Sequence, residues 1–177
     1  MEARRVVVAF AVVVALVAVG VLAGGLDPVL TTDGYQPAGT ETATPLEYEQ
    51  TTVTVVDSDS GDQLGQVEVA VADTWRKRYT GLSKTESLPE DRGMLFTYGS
   101  EGSHTYVMRG MSFGIDIVYV AANGTITRIH HAPEPPEDAD GEDYEYPGTG
   151  QYVLEVNYNW TVRHNVTEGD RVEIGDA

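Results

Sequence analysis

Four charged side chains stand where charge is costly. Arg78, Arg109, Asp116 and Glu155 each lie in or beside an apolar run of the sequence. A charge withdrawn from water has to be paired or put to use. Two arginines among carboxylates suit a polar pocket, because a guanidinium fork offers parallel N–H donors to an anionic or hydroxylated ligand. The same four residues also suit a plainer arrangement, ion pairs that pin a helix to a sheet. Asp116 and Glu155 further suggest a hydrolase of glycosidase type, if the two carboxyls face each other across an open cleft.

Three other groupings have chemistry to offer. Met94, His104, Met108 and Met111 are thioether and imidazole donors of the kind copper takes. Their spacing matches no compact metal loop, and methionine is first a core filler, so neither metal nor cofactor is expected. The stretch 133–148 carries Glu134, Glu137, Asp138, Asp140, Glu142, Asp143 and Glu145. Oxygen-rich loops bind calcium, but the glycine and the glutamate that complete an EF-hand loop are missing, and a solvated acidic loop is expected. The four histidines, His104, His130, His131 and His164, fall in no Gly-x-Ser-x-Gly or His-Glu-x-x-His pattern, so no catalytic residue is assigned. Asn123, Asn159 and Asn165 each begin an Asn-x-Thr sequon and are glycosylation candidates if the domain lies outside the cell.

Composition narrows the classes. The 177-residue chain has 28 acidic and 11 basic residues, a net charge of −17. Such a surface repels nucleic acid phosphates and has the look of a salt-adapted, haloarchaeal-type protein. With no cysteine, disulfides, thiol nucleophiles and thiolate metal sites are all excluded.

The elements that must position these residues follow from the pattern along the chain. Residues 6–26 are 21 in a row without a charge, after Arg4 and Arg5. A helix of that length reaches roughly 30 Å, enough to cross a hydrocarbon core. Arginines before it and acids after it put the N-terminus in the cytoplasm and the rest outside. A cleaved signal peptide, with a secreted product, is the alternative. Residues 27–50, rich in Thr, Gly and Pro, form a flexible linker. From residue 51 to 177 short runs of alternating apolar residues predict about eight strands: 51–56, 66–71, 93–98, 105–109, 115–121, 125–131, 151–156 and 171–174. Asp73 is placed to cap one short helix, with Trp75, Tyr79 and Leu82 on one helical face. Asn123-Gly124 is a two-residue hairpin turn.

Over residues 69–174 the motifs fall into a known order. Ala72-Asp73-Thr74, Arg78-Tyr79-Thr80-Gly81-Leu82, Leu88-Pro89, Gly93-Met94-Leu95-Phe96, Met108-Arg109, Ile115-Asp116-Ile117, Val153-Leu154-Glu155-Val156 and Gly169-Asp170-Arg171-Val172 resemble the domain of unknown function 192 family. The resemblance implies a mainly β, jelly-roll-like sandwich or barrel with one or two short helices, exported or membrane-tethered, and no established reaction. The family's Trp-Met-Lys-Asn-Thr run is Val107-Met108-Arg109-Gly110-Met111 here, and its Pro-Leu-Asp is Gly114-Ile115-Asp116. The expected function is a tethered extracytoplasmic module that binds a ligand or envelope component, carbohydrate among them. The alternatives are the enzyme centred on Asp116 and Glu155, and a structural envelope protein.

Overall fold

The computed structural model describes residues 46–175. The expected anchor, residues 1–26, and most of the expected linker lie outside the described residues, none of which belongs to a helix long and apolar enough to cross a membrane.

The first hairpin arises from clean alternation. In β1 (Gln50–Val56) Thr51, Val53 and Val55 are buried, with Gln50 and Thr52 exposed and Thr54 half-buried between them. In β2 (Gln63–Ala72) Gly65, Val67, Val69 and Val71 are buried while Gln66 and Glu68 face water. A side-chain period of two presents one face of each strand to a core. The turn between them is closed by Asp57, whose carboxylate accepts from the backbone N–H of Asp59 and Ser60 at 3.0 and 2.7 Å. The pairing is antiparallel, Val53 opposite Val67.

β3 (Arg92–Val107) then pairs parallel to β2, Val69 opposite Gly93. Parallel neighbours need a crossover of a dozen or more residues. Residues 73–91 supply it, and they include α1 (Trp75–Thr80). β4 (Ile115–Val120) and β5 (Ile126–Ala132) form a hairpin. A 3-10 turn, Gly141–Asp143, precedes β6 (Glu145–Asn157). β6 inserts antiparallel between β3 and β4. α2 (Trp160–Arg163) and β7 (Arg171–Ile174) complete the chain, β7 pairing with β1.

The strand order is β5-β4-β6-β3-β2-β1-β7 in one sheet. Its two ends meet at a single bridge, Thr125 to Arg171, supported by Ile126 N–H to Asp170 O and Val172 N–H to Gly124 O, both 2.8 Å. The sheet thus curls into a half-barrel. Both faces are covered, and all six residues of β4 are buried for that reason. One face carries Val53, Val69, Leu95, Val118, Leu154 and Val156, roofed by Trp160 and Val166. The other carries Met94, Phe96, Met108, Ile117, Tyr119 and Val153, roofed by Leu82 from the crossover.

Four expectations are corrected. Seven strands form among the described residues, not about eight: the runs 93–98 and 105–109 are one long β3, which stays paired with β6 through a register shift between Thr97 and Gly102. The polar, glycine-rich 99–103 reads as a loop, yet it is a bulged part of the strand. The strands make one sheet curled into a half-barrel, in keeping with the barrel alternative and not with the two sheets of a jelly-roll sandwich. Finally, Trp75 and Tyr79 do not join Leu82 in the core. α1 ends at Gly81 (φ 48°), so the helical period stops before Leu82. Trp75 is 72% and Tyr79 57% exposed, whereas Leu82 is buried. Thr74, not Asp73, caps α1 by accepting from Lys77 N–H; Asp73 instead pairs with Lys77 at 2.8 Å, which draws its carboxyl below the ordinary range.

Candidate functional site

Glu155 is the residue to build from. β6 is covered on both faces, so residues 153–156 are all buried. Alternation sends Leu154 and Val156 to one core and Val153 and Glu155 to the other. Glu155 thus stands between Met94 of β3 and Ile117 of β4, 5% exposed. Burial alone pushes its carboxyl up to about 8, with no hydrogen bond or charge contributing. A carboxyl so placed holds its proton at neutral pH and is a donor as well as an acceptor.

Above Glu155 lies a cavity of about 210 Å³ between the crossover and the outer half of β3. Arg78 and Arg109 both line it. Arg78 Nη1 donates to the carbonyls of Asp73 and Thr97 at 2.7 and 2.9 Å. Its guanidinium lies 4.9 Å over the Tyr98 ring. Arg109 Nη2 donates to Tyr79 O at 2.6 Å, and Nη1 meets Glu142 Oε1 at 3.3 Å. Its guanidinium lies 4.2 Å over the Tyr79 ring. Each fork is thereby held in place, and each keeps N–H donors beyond those already used.

Tyrosines complete the lining. The Tyr98 and Tyr106 hydroxyls are 3.0 Å apart. Burial, and next the nearby Glu155, push the Tyr106 phenol far up, so it stays neutral. His104 stacks on Tyr98 with centroids 3.7 Å apart and reaches Gly150 O through Nε2 at 3.3 Å. Desolvation lowers its pKa, which favours the neutral imidazole. The arrangement can therefore offer fixed cationic forks, tyrosine hydroxyls and one protonated carboxyl to a ligand group.

The structure brings Arg78, Arg109 and Glu155 together and leaves Asp116 out. Asp116 is opposite Val156 in the ladder, one step from the Ile117–Glu155 pair, and so points to the other face of the sheet. It is fully buried and its carboxylate is saturated. Oδ1 accepts from His131 Nδ1 at 2.8 Å and Asn159 N–H at 2.9 Å. Oδ2 accepts from Thr161 N–H at 2.9 Å and Thr161 Oγ1 at 2.6 Å. Asp116 ties α2 to β4; it does not face Glu155 across a cleft, and the two-carboxylate arrangement is not formed.

The remaining candidates disperse. Met94 and Met108 are buried in the core, and Met111 lines the cavity. His130 Nε2 bonds Pro147 O at 2.8 Å and His164 Nδ1 bonds Trp160 O at 2.9 Å. In the acidic stretch, Asp140 accepts from Glu142 N–H at 2.9 Å, and Glu142 in turn pairs with Arg109. Asn123 is exposed at the β4–β5 turn. Asn159 is half-buried in the left-handed region (φ 59°), followed by the buried Trp160 and Thr161 of its sequon. Asn165 is exposed, also left-handed. Tyr98 and Tyr106 were not singled out from the sequence, and Glu142 was marked only as part of the acidic stretch. No spacing signal points to the tyrosines, because the bulge in β3 breaks the alternation between them.

A second, more apolar groove of about 470 Å³ lies beside the first and shares residues 80–82 with it, lined by Leu46, Tyr48, Leu88 and Met94 among others. It is larger but holds no buried ionisable group, so the chemistry concentrates at Glu155.

Comparison with known proteins places the chain. The model of the DUF192 family, described as an uncharacterized ACR, matches residues 55–174. The chain belongs to the DUF192 family. Every residue of the cavity falls inside the matched DUF192 segment. A "putative transcription regulator" from Sinorhizobium meliloti 1021 is similar in structure, with 27% identity and a TM-score of 0.65 over 74% of this chain and 98% of that one. A protein of unknown function from Novosphingobium aromaticivorans DSM 12444 shares the fold at 23% identity, with a TM-score of 0.59 over 79% of this chain and 99% of that one. No curated protein matches the chain.

Proposed function

We propose that this DUF192 domain is a binding module for a small ligand carrying an anionic group, seated over Glu155 between Arg78 and Arg109. One observation carries the reading. A buried carboxyl with no protein partner among the described residues faces a cavity walled by two clamped guanidiniums. A protein that needs only stability gains little from such a carboxyl, since an apolar side chain there avoids its desolvation. The anion answers to the arginines, and Glu155, protonated, donates to a ligand oxygen.

The proposal also has the domain held outside the cell membrane by residues 1–26. The support is the uncharged 21-residue run behind two arginines. The word "regulator" in the S. meliloti relative's description is not carried over to DNA binding here, because a net charge of −17 opposes phosphate contacts. A second reading, an enzyme that uses Glu155 as a general acid, is favoured by the same raised pKa. It is independent of Asp116.

The test is a titration of the protein with acetate, a hexuronic acid, phosphate and sulfate, followed by amide chemical shifts. Binding is expected to move the signals of residues 79–83 and 106–111. Arg109→Ala should weaken it by about tenfold or more, in line with loss of a charge-assisted contact. Saturable binding that leaves those residues unmoved, or no binding of any of the four anions, would overturn the reading. Turnover of a nitrophenyl glycoside or ester that Glu155→Gln abolishes would establish the enzyme instead.

A further inference from the structure

We propose that the ligand is an acidic carbohydrate chain, with a uronate carboxylate at Arg109 and Arg78 and the adjoining sugar ring against the exposed Trp75–Tyr79 stack. This rests on the cavity reading above and names its ligand class.

The aromatic stack is the starting observation. α1 buries none of its residues. Trp75 and Tyr79 are 72% and 57% exposed, yet they are ordered against each other with centroids 5.3 Å apart and ring planes within 18°. Single exposed apolar residues need no explanation, but a paired aromatic surface beside a cavity marks a place of contact. Here it is continuous with the site: Tyr79 lines the cavity, and Arg109 lies over the Tyr79 ring at 4.2 Å.

The ligand class follows from two complementary surfaces. An aromatic face is electron-rich and repels an anion while attracting the weakly positive C–H groups of a flat saturated ring. The guanidiniums do the opposite. A ligand that uses both needs a carboxylate on one unit and a ring with a C–H face on the next, which is the make-up of a chain of uronic acids. Charge points the same way. In a chain of net charge −17, Arg76, Arg78 and Arg109 gather on α1 and at the cavity, and Arg76 is exposed with no ion pair among the described residues. Size supplies the chain: about 210 Å³ falls below the roughly 300 Å³ at which sites for whole small molecules begin. The cavity therefore takes one end group, and the rest of the ligand lies outside, where Trp75 stands.

The full-length protein is titrated by calorimetry with galacturonic acid, with trigalacturonate, and with maltotriose as the neutral counterpart. Trigalacturonate is expected to bind tighter than the monomer, and maltotriose much more weakly than either. Trp75→Ala should cost about tenfold for the trisaccharide, the size of one aromatic stacking contact, and leave the monomer unchanged. Trp75→Phe should restore most of the loss. Trp75 is exposed, so circular dichroism of both variants should match the parent. Equal affinity for monomer and trimer, with Trp75→Ala without effect, overturns the carbohydrate chain and leaves the anion site standing. Binding of acetate or phosphate but of neither uronate does the same. Failure of every anion overturns both readings. Sedimentation with phosphatidylglycerol vesicles that depends on Trp75, without uronate binding, assigns the aromatic face to a lipid surface and also overturns the proposal.

Discussion

Glu155 and Asp116 show how two buried carboxylates of similar sequence context diverge. Asp116 accepts four hydrogen bonds and holds a helix to a strand. Glu155 meets a cavity, and burial lifts its carboxyl from an ordinary 4.5 to about 8. The sign of the consequence is fixed by linkage. Between 4.5 and about 8 the folded state holds a proton that the unfolded state has released. Stability from this group is therefore complete below 4.5, falls as pH rises through that window, and levels off above it. Glu155→Gln removes the titration. The variant is expected to gain about 4 kcal/mol relative to the parent on going from pH 5 to pH 9, roughly three pH units of the window falling between 5 and about 8, measured by urea unfolding at both values. A difference independent of pH would mean that Glu155 is ionised in the folded protein. At this scale the sequence was half legible. A charge inside an apolar run marked all four residues as unusual, but a single step of register decides which core a side chain enters. Nothing short of the strand pairing reveals that Asp116 and Glu155 face apart.

The elements divide in the same way. β1, β2, β4, β5 and β7 were legible because turn residues whose chemistry is local bound each run, and β1 and β2 alternate as well. β3 was not, because Gly99, Gly102 and the serines around them look like a loop, and only pairing with β6 keeps them extended. α1 was placed correctly along the chain and turned wrongly. Its apolar spacing is genuine, but a six-residue helix ending at Gly81 has no length to carry Trp75 and Tyr79 inward with Leu82. The pairing of β3 with β6 has a tight point of its own. Gly148 lies opposite His104, and a Cβ there would strike the Tyr119 ring. That ring cannot retreat, since Tyr119 is fully buried and its hydroxyl donates to His104 O at 3.0 Å and Tyr146 O at 2.6 Å. Gly148→Ala is expected to destabilise the domain by about 1–3 kcal/mol through overpacking. A denaturant midpoint unchanged from the parent would show that β6 moves aside.

At the scale of the molecule, charge and closure dominate. A net charge of −17 makes the compact state repel itself, and dissolved salt screens that repulsion. The melting temperature is expected to rise by about 5 °C or more between 0.1 M and 2 M KCl, a response too large for the few exposed ion pairs to oppose. A flat or falling profile would argue against salt adaptation. The closure was invisible in the sequence: the half-barrel closes at one bridge, Thr125 to Arg171, and neither the Asn123-Gly124 turn nor the Gly169-Asp170 turn says that the two segments pair. Both covered faces, by contrast, could be anticipated from β4, where Ile115, Ile117, Val118, Tyr119 and Val120 leave only Asp116 polar.

The parallel junction of β2 and β3 has a consequence for descent. Its crossover, residues 73–91, carries Arg78 and the aromatic pair, while the sheet carries Glu155 and Tyr106. Doubling the length of such a connection costs only about 0.6 kcal/mol of closure entropy, and no ladder hydrogen bond has to move. Insertion, deletion and exchange in this one segment can therefore redirect what the domain recognises over generations, while the barrel and its buried acid are inherited unchanged.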